Sequence, residues 1–318
     1  MSMNLEIMFN FLMMMGVIMA ISSNNWFSMW LMLEVTLMCF LPIMSNKNKL
    51  NSESCIKYFI IQSLSSSIMM MGVIMMSMEY TNLILLLSLM LKLGVAPFHS
   101  WALSIVEGMQ YYPILLFLTL TKLIPIYMLS YLSKNLMLIV IISLIIGSIS
   151  GLIQNSMKKI LVYSSVFNMA LIMSSINNHS TWFCYYVFYC ISLFLLITVI
   201  HSMNLNFINQ LIFNNIKIFP KLTIWMVLLS MSGFPPFIGF WAKLIVLKQV
   251  LELNNLLLLV LMIMLSLIIM FFYTRTIFIS LMFFSDLPKW MLINKFKFNS
   301  YLIYMNLIMP IMLFNLKS

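Results

Sequence analysis

Charge is what this sequence has least of. Asp, Glu, Lys and Arg together make up 8 % of 318 residues, where a soluble domain carries about a quarter. Arginine occurs once, at Arg275, and aspartate once, at Asp286. With 63 % hydrophobic residues and a mean hydropathy of +1.07, too little polar surface exists to coat a soluble core. Soluble enzymes and disordered chains are therefore excluded. Histidine is scarce too: His99, His179 and His201 do not supply paired axial ligands for haem or copper. The cysteines Cys39, Cys55, Cys184 and Cys190 contain no C-x-x-C pair, so neither a disulfide framework nor iron–sulfur ligation follows. No G-x-G-x-x-G and no phosphate-binding G-x-x-x-x-G-K-[ST] occurs, so neither nucleotide motif is present. These absences leave metal and cofactor binding without candidate residues in this chain.

What remains is a series of long apolar runs. A helix needs about 20 apolar residues to cross a bilayer, and the alternation of a membrane barrel is absent. The runs predict an all-α polytopic membrane protein of eleven spans, at 5–21, 26–44, 56–78, 83–106, 113–132, 136–153, 160–177, 182–201, 221–250, 255–282 and 300–316. Linkers are short and rich in Asn, Ser and Lys. The N-terminus lacks a basic, cleavable leader and the Arg-rich character of an import presequence, so insertion where the chain is made is expected. Net charge of +10 does not point to nucleic acid, because the lysines sit in loops between spans. Ten of them (Lys47, Lys49, Lys57, Lys158, Lys159, Lys217, Lys221, Lys289, Lys295, Lys297) fall on one side and three (Lys134, Lys248, Lys317) on the other. The positive-inside rule then puts the N-terminus inside and the C-terminus outside.

Spans four and nine share a peculiarity. One contains Gly94-Val-Ala-Pro97-Phe98 and the other Gly233-Phe-Pro235-Pro236-Phe237, so both read G-x-x-P-F within an apolar run. Proline removes a backbone donor and clashes with the preceding turn, which predicts a break in each helix. The two lie five spans apart, hence with opposite orientation, as in inverted five-helix repeats with discontinuous helices. The corresponding division is 1–132, 133–285 and a C-terminal helix within 286–318. Ordinary proline kinks are the plainer alternative.

Four ionisable residues fall inside spans: Glu34, Lys92, Lys122 and Lys243. At roughly 2.5–3.5 kcal/mol each they cost on the order of 10 kcal/mol to insert, which predicts that they face the bundle interior, paired or hydrated. Desolvation favours the neutral amine of a lysine and a nearby carboxylate favours the ammonium, so such a lysine can take up or release a proton as its partner moves. A static ion pair with two snorkelling lysines is the structural alternative. His99, after Pro97-Phe98, is either a polar residue satisfied at an unwound turn or an auxiliary on the proton path.

Six motifs in order carry a resemblance over nearly the whole chain: Trp30-Leu-Met-Leu-Glu34; Lys57-Tyr-Phe-Ile-Ile-Gln62; Leu91-Lys92-Leu-Gly94-Val-Ala-Pro97-Phe98-His99-Ser-Trp101; Thr121-Lys122-Leu-Ile-Pro125; Gln154 through Ser165; and Ser232-Gly233-Phe-Pro235-Pro236-Phe237-Ile-Gly239-Phe240-Trp-Ala-Lys243. The sequence resembles the antiporter-like subunits in the membrane arm of NADH:ubiquinone oxidoreductase, respiratory complex I. The resemblance implies proton translocation coupled to electron transfer, with Glu34 paired to Lys92, Lys122 as connecting lysine and Lys243 as the lysine of the second broken helix. It implies that NADH, FMN, iron–sulfur clusters and ubiquinone sit on other subunits. It implies neighbouring antiporter-like subunits and lipid as partners, and the mitochondrial inner membrane, N-terminus in the matrix and C-terminus in the intermembrane space. Where relatives carry Ser-Ser-x-x-His this chain has Asn168, which cannot titrate, and Met32 replaces a small residue. A stand-alone cation/proton antiporter and a scaffold without its own proton path remain as alternatives. The 35 methionines resemble the coding bias of an AT-rich, insect-like mitochondrial genome, and Met substitutes cheaply for Leu or Ile in apolar packing.

Overall fold

The computed structural model describes residues 3–45, 48–75, 81–132, 136–213 and 218–282. Every regular element among them is helical; one isolated bridge pairs Ser156 with Phe207. The chain divides into two compact units, Met1–Ile139 and Val140–Ser318.

The first unit holds α1 (Met3–Ser22), α2 (Trp26–Met44), α3 (Lys49–Ile74), α4 (Thr81–Leu93), α5 (Ser100–Gly108), α6 (Tyr111–Leu118) and α7 (Leu120–Ser130). Helix α2 packs on α1, α3 and α7, and α4 packs on α3 and α7. The second unit holds α8 (Met137–Ile153), of which the first three residues fall in the first unit, α9 (Met157–Ser174), α10 (His179–Ser202), α11 (Gln210–Phe213), α12 (Ile218–Ser232), α13 (Ile238–Glu252) and α14 (Leu256–Met282). There α13 packs on α9, α10, α12 and α14.

Among the described residues, six helical stretches are long and apolar enough to cross a membrane: Leu5–Ser22, Trp26–Met44, Lys49–Ile74, Tyr111–Ser130 (α6 with α7), His179–Ser202 and Leu256–Ile279. Leu83–Leu93, Met137–Ile153 and Leu222–Ser232 are apolar but shorter. The expected span at 300–316 lies outside the described residues. Helix α14 shows what an apolar solvent does to the pattern. Leu257, Val260, Met264, Leu267, Phe271 and Phe278 form an exposed stripe at helical spacing, and Met262, Ile269, Phe272 and Thr276 form the buried one. Both stripes are greasy, so hydrophobicity does not tell the inner face from the outer. Close packing and hydrogen bonds between helices do.

One such bond set holds the end of α8. The Arg275 guanidinium, projecting from α14, donates through Nη1 to Leu152 O at 2.6 Å and through Nη2 to Gln154 O at 3.1 Å. A cation at a helix C-terminus meets both the orphan carbonyls and the negative pole. Arg275→Lys keeps the charge but loses the fork. It is expected to cost about 1–3 kcal/mol, seen as a lower unfolding midpoint in detergent at unchanged expression.

Candidate functional site

The two G-x-x-P-F segments fold alike. Helix α4 ends at Leu93 and α5 starts at Ser100; α12 ends at Ser232 and α13 starts at Ile238. Gly94 and Gly233 both have positive φ, +63° and +84°, a conformation that a side chain disfavours. Around the first, Val95 N donates to Met90 O at 3.4 Å and Gly94 N to Leu91 O at 3.2 Å. Around the second, Phe234 N donates to Leu229 O and Gly233 N to Ser230 O, both at 3.2 Å. These are paired Schellman caps: glycine in the left-handed region, then a proline that prevents the helix from resuming at once. The breaks are thus closed helix ends with their own hydrogen bonds, and not frayed kinks.

Each cap brings a negative helix pole to a lysine. Lys92 lies one residue before the last of α4 and is 6 % exposed. Lys243 comes from the other side of its break: from α13 its ammonium reaches back and donates to Ser232 O, the terminal carbonyl of α12, at 2.6 Å. Its Nζ also lies 6.0 Å from the Phe167 ring centroid. Gly233 leaves room for this, since a Cβ there would meet Lys243 Cδ and Nζ at 2.9 Å. Cations are favoured at helix C-termini, so the Lys243 ammonium occupies a place where the backbone offsets part of its burial, and Lys92 stands in the last turn of α4.

The surroundings of the first break are aromatic. Trp101 packs against Gly94, and Trp101, Phe117, Tyr58 and Phe40 form a cluster with ring centroids 5.2–6.4 Å apart. From α3, Gln62 Nε2 donates to Lys92 O at 3.4 Å. Glu34, on α2, is half-buried, and its Oε1 is buried without a hydrogen-bond partner. It acts electrostatically on Lys92 and on the Tyr58 hydroxyl. No ion pair within 4.0 Å joins Glu34 to Lys92. The carboxylate that the sequence offers as a partner is therefore within the lysine's field but not in contact with it. His99 sits at the turn before α5, half-buried, against the Pro97 backbone.

Lys122 is 3 % exposed in α7, a helix that packs on both α2 and α4. Glu34 and Lys92 thus lie on two helices that both pack on the helix of Lys122. The structure adds a discontinuity that the sequence reading missed. The expected continuous span at 113–132 is divided at Thr119 (φ −113°, ψ −89°), three residues before Lys122. No glycine or proline marks the place. The available signal is a pair of threonines: Thr119 Oγ1 donates to Leu115 O at 2.7 Å and Thr121 Oγ1 to Phe117 O at 2.6 Å. Such back-bonding to the preceding turn bends helices.

In the second unit two further polar links were not foreseen. Gln249, 3 % exposed on α13, accepts from Thr181 Oγ1 at 2.6 Å and donates to Ser175 O at 3.2 Å. The Tyr185 hydroxyl donates to Asn168 Oδ1 at 2.8 Å. Each is a polar side chain inside an apolar run, which is the signature that marked the lysines, but without a charge to draw attention. Among the described residues no cluster of three or more His, Cys, Asp or Glu side chains is placed to hold a metal ion.

Comparison with known proteins adds a family. Residues 23–83 and 77–269 match the family described as NADH:quinone oxidoreductase/Mrp antiporter. NADH-ubiquinone oxidoreductase chain 2 of Anopheles gambiae is 34 % identical over 88 % of this chain and 87 % of the relative. A chain of respiratory complex I from Thermus thermophilus superimposes with a TM-score of 0.81 at 19 % identity, covering 95 % of this chain and 76 % of that one. A chain of the Mrp complex from Dietzia sp. gives 0.74 at 18 % identity, covering 83 % and 58 %. Two broken helices, one with a buried and one with a half-buried lysine, a match over most of the sequence and a shared fold converge on one statement: the chain belongs to the NADH:quinone oxidoreductase/Mrp antiporter membrane family.

Proposed function

We propose that this chain is a core membrane subunit of mitochondrial respiratory complex I, equivalent to the chain 2 of its curated relatives, and that it moves protons in step with electron transfer from NADH to ubiquinone. The observation that carries the reading is the placement of Lys92 and Lys243 at the closed ends of two broken helices, with Lys122 buried in the first unit. Such positions are expensive in an apolar chain and are expected to be functional. Glu34, Lys92, Lys122 and Lys243 are the proton-carrying residues. When Glu34 approaches Lys92 the ammonium is favoured; when it withdraws, desolvation favours the amine and the proton is released. NADH, FMN, iron–sulfur clusters and ubiquinone belong to neighbouring subunits, and the link to this chain is a change of charge and position at Glu34.

The same reading completes the topology. Eleven spans form two inverted five-helix repeats, 1–132 and 133–285, plus a C-terminal helix within 286–318. The N-terminus faces the matrix and the C-terminus the intermembrane space, and other antiporter-like subunits flank the chain in the inner membrane. The shared caps at Gly94 and Gly233 support the repeat. The test is Lys92→Met in the assembled complex, read as protons moved per NADH oxidised. The ratio is expected to fall while assembly stays normal. Unchanged pumping at normal assembly overturns the reading.

A further inference from the structure

Helix α3 turns its polar side chains inward. Asn51, Ser54, Tyr58, Gln62, Ser65 and Ser66 are buried, while Ile56, Ile60, Leu64 and Met71 are exposed. Ser54, Ser65 and Ser66 donate to the carbonyls of Asn51, Gln62 and Ser63 on the same helix, so their hydrogens are spent. Asn51 lies about two turns before Tyr58. Tyr58 and Gln62, which share one face four residues apart, are left as the donors that reach neighbouring helices. Both belong to the motif Lys57-Tyr58-Phe-Ile-Ile-Gln62.

Register brings this face to Glu34. On α2, Trp30 Nε1 donates to Ser66 O at 3.1 Å, and Phe40 meets Tyr58 edge-on with ring centroids 5.2 Å apart. The two helices are therefore antiparallel. Glu34 stands one turn along α2 from Trp30, and Gln62 one turn back along α3 from Ser66. The two contacts bracket Glu34, and the stretch of α3 between them carries Tyr58 and Gln62. The Tyr58 hydroxyl lies in the field of the Glu34 carboxylate. Its ring is held by Phe40, Trp101 and Phe117, so the hydroxyl is a stationary group. Gln62 also faces α4: Nε2 donates to Lys92 O at 3.4 Å, one of the last carbonyls of that helix. A primary amide has a second N–H to give. Opposite these groups, Glu34 Oε1 is buried without a hydrogen-bond partner. A buried carboxylate oxygen lacking a donor, beside a phenol and an amide that can donate, is a matched pair of needs.

We propose that Tyr58 and Gln62 are positioning residues that receive the Glu34 carboxylate when it leaves Lys92. The phenol O–H and the second amide N–H donate to its oxygens, and neither donor loses its hydrogen in the exchange. The carboxylate then has two places: against an ammonium, or on a neutral shelf of α3 that stabilises its charge without adding one. Gln62 also holds the end of α4 at the Lys92 carbonyl, so the shelf sets how far Glu34 withdraws from that lysine. The part of this inference that concerns pumping rests on Glu34 and Lys92 carrying protons; the shelf stands without it.

Cryo-electron microscopy of the assembled complex, at rest and during turnover, tests the shelf. In one of the two states a Glu34 carboxylate oxygen is expected within about 3.2 Å of Tyr58 Oη or Gln62 Nε2. A carboxylate that is away from both donors in both states overturns the proposal. Tyr58→Phe keeps the aromatic cluster and Gln62→Met keeps the length, and together they remove both donors. The doubly substituted complex is expected to move protons per NADH at the reduced ratio of a Glu34→Gln complex. On a Glu34→Gln background the same two substitutions lower the ratio no further, because their effect passes through Glu34. A wild-type ratio at normal assembly, or a further loss on that background, contradicts the role. If the doubly substituted complex fails to assemble, the density in the unsubstituted complex still decides. A Glu34→Gln complex that pumps normally, while the unsubstituted carboxylate is seen on the shelf, overturns the function proposed above and leaves the shelf standing.

Discussion

Gly239→Ala is expected to remove the chain from the assembled complex. Gly239 lies in the first turn of α13, where that helix crosses the end of α12. A Cβ at this position would stand 1.8 Å from Ser230 O. The obstacle is a backbone carbonyl, so no rotamer change relieves it. The two half-helices must separate instead. Separation pulls Ser232 O, which accepts from Lys243, away from its donor. Ordinary overpacking costs about 1–3 kcal/mol, and a rigid main-chain clash lies above that range. Native gels of mitochondrial membranes should show the complex lacking its mature band. Wild-type assembly would mean that α12 and α13 slide past each other at Ser230 without penalty.

Lys243→Met is expected to have the largest effect on pumping with little effect on folding. Methionine is of similar length and apolar, so it fills the place between Phe167 and Gly233. Removing the charge relieves an insertion cost of about 2.5–3.5 kcal/mol, while Ser232 O loses one donor. The variant should therefore assemble. A positioned proton-transfer group is worth about 10²–10⁴ in rate, so the share of translocation passing through this chain should fall by about a hundredfold. The reading is protons moved per NADH oxidised in sealed vesicles. An unchanged ratio at normal assembly would assign Lys243 a purely structural role.

Much of this was legible in the residues because the bilayer penalises what it does not need. Charges in apolar runs are costly, which made Lys92, Lys122, Lys243 and Glu34 visible. The G-x-x-P-F pattern announced two helix ends, because glycine and proline impose backbone conformations by themselves. The divide at Thr119 was hidden, since a threonine side chain bends a helix only through a hydrogen bond to the preceding turn. The Asn168–Tyr185 and Gln249–Thr181 links were hidden for a different reason. They join residues 17 and 68 positions apart, and a one-dimensional pattern does not say which neutral polar groups meet. The separation of Glu34 from Lys92 was hidden as well: residue types name partners but do not set distances.

The two closed helix ends have one more implication. Their carbonyls are fixed by the caps at Gly94 and Gly233, so the field they impose on Lys92 and Lys243 is permanent, like that of an electret. A fixed field requires no reorganisation when a proton arrives or leaves. A field that does not change is not a switch. For the proton transfer proposed above, the switch is then mobile matter brought to a stationary pole: a carboxylate that swings, a water that enters, or the lysine head group itself stepping off its carbonyl.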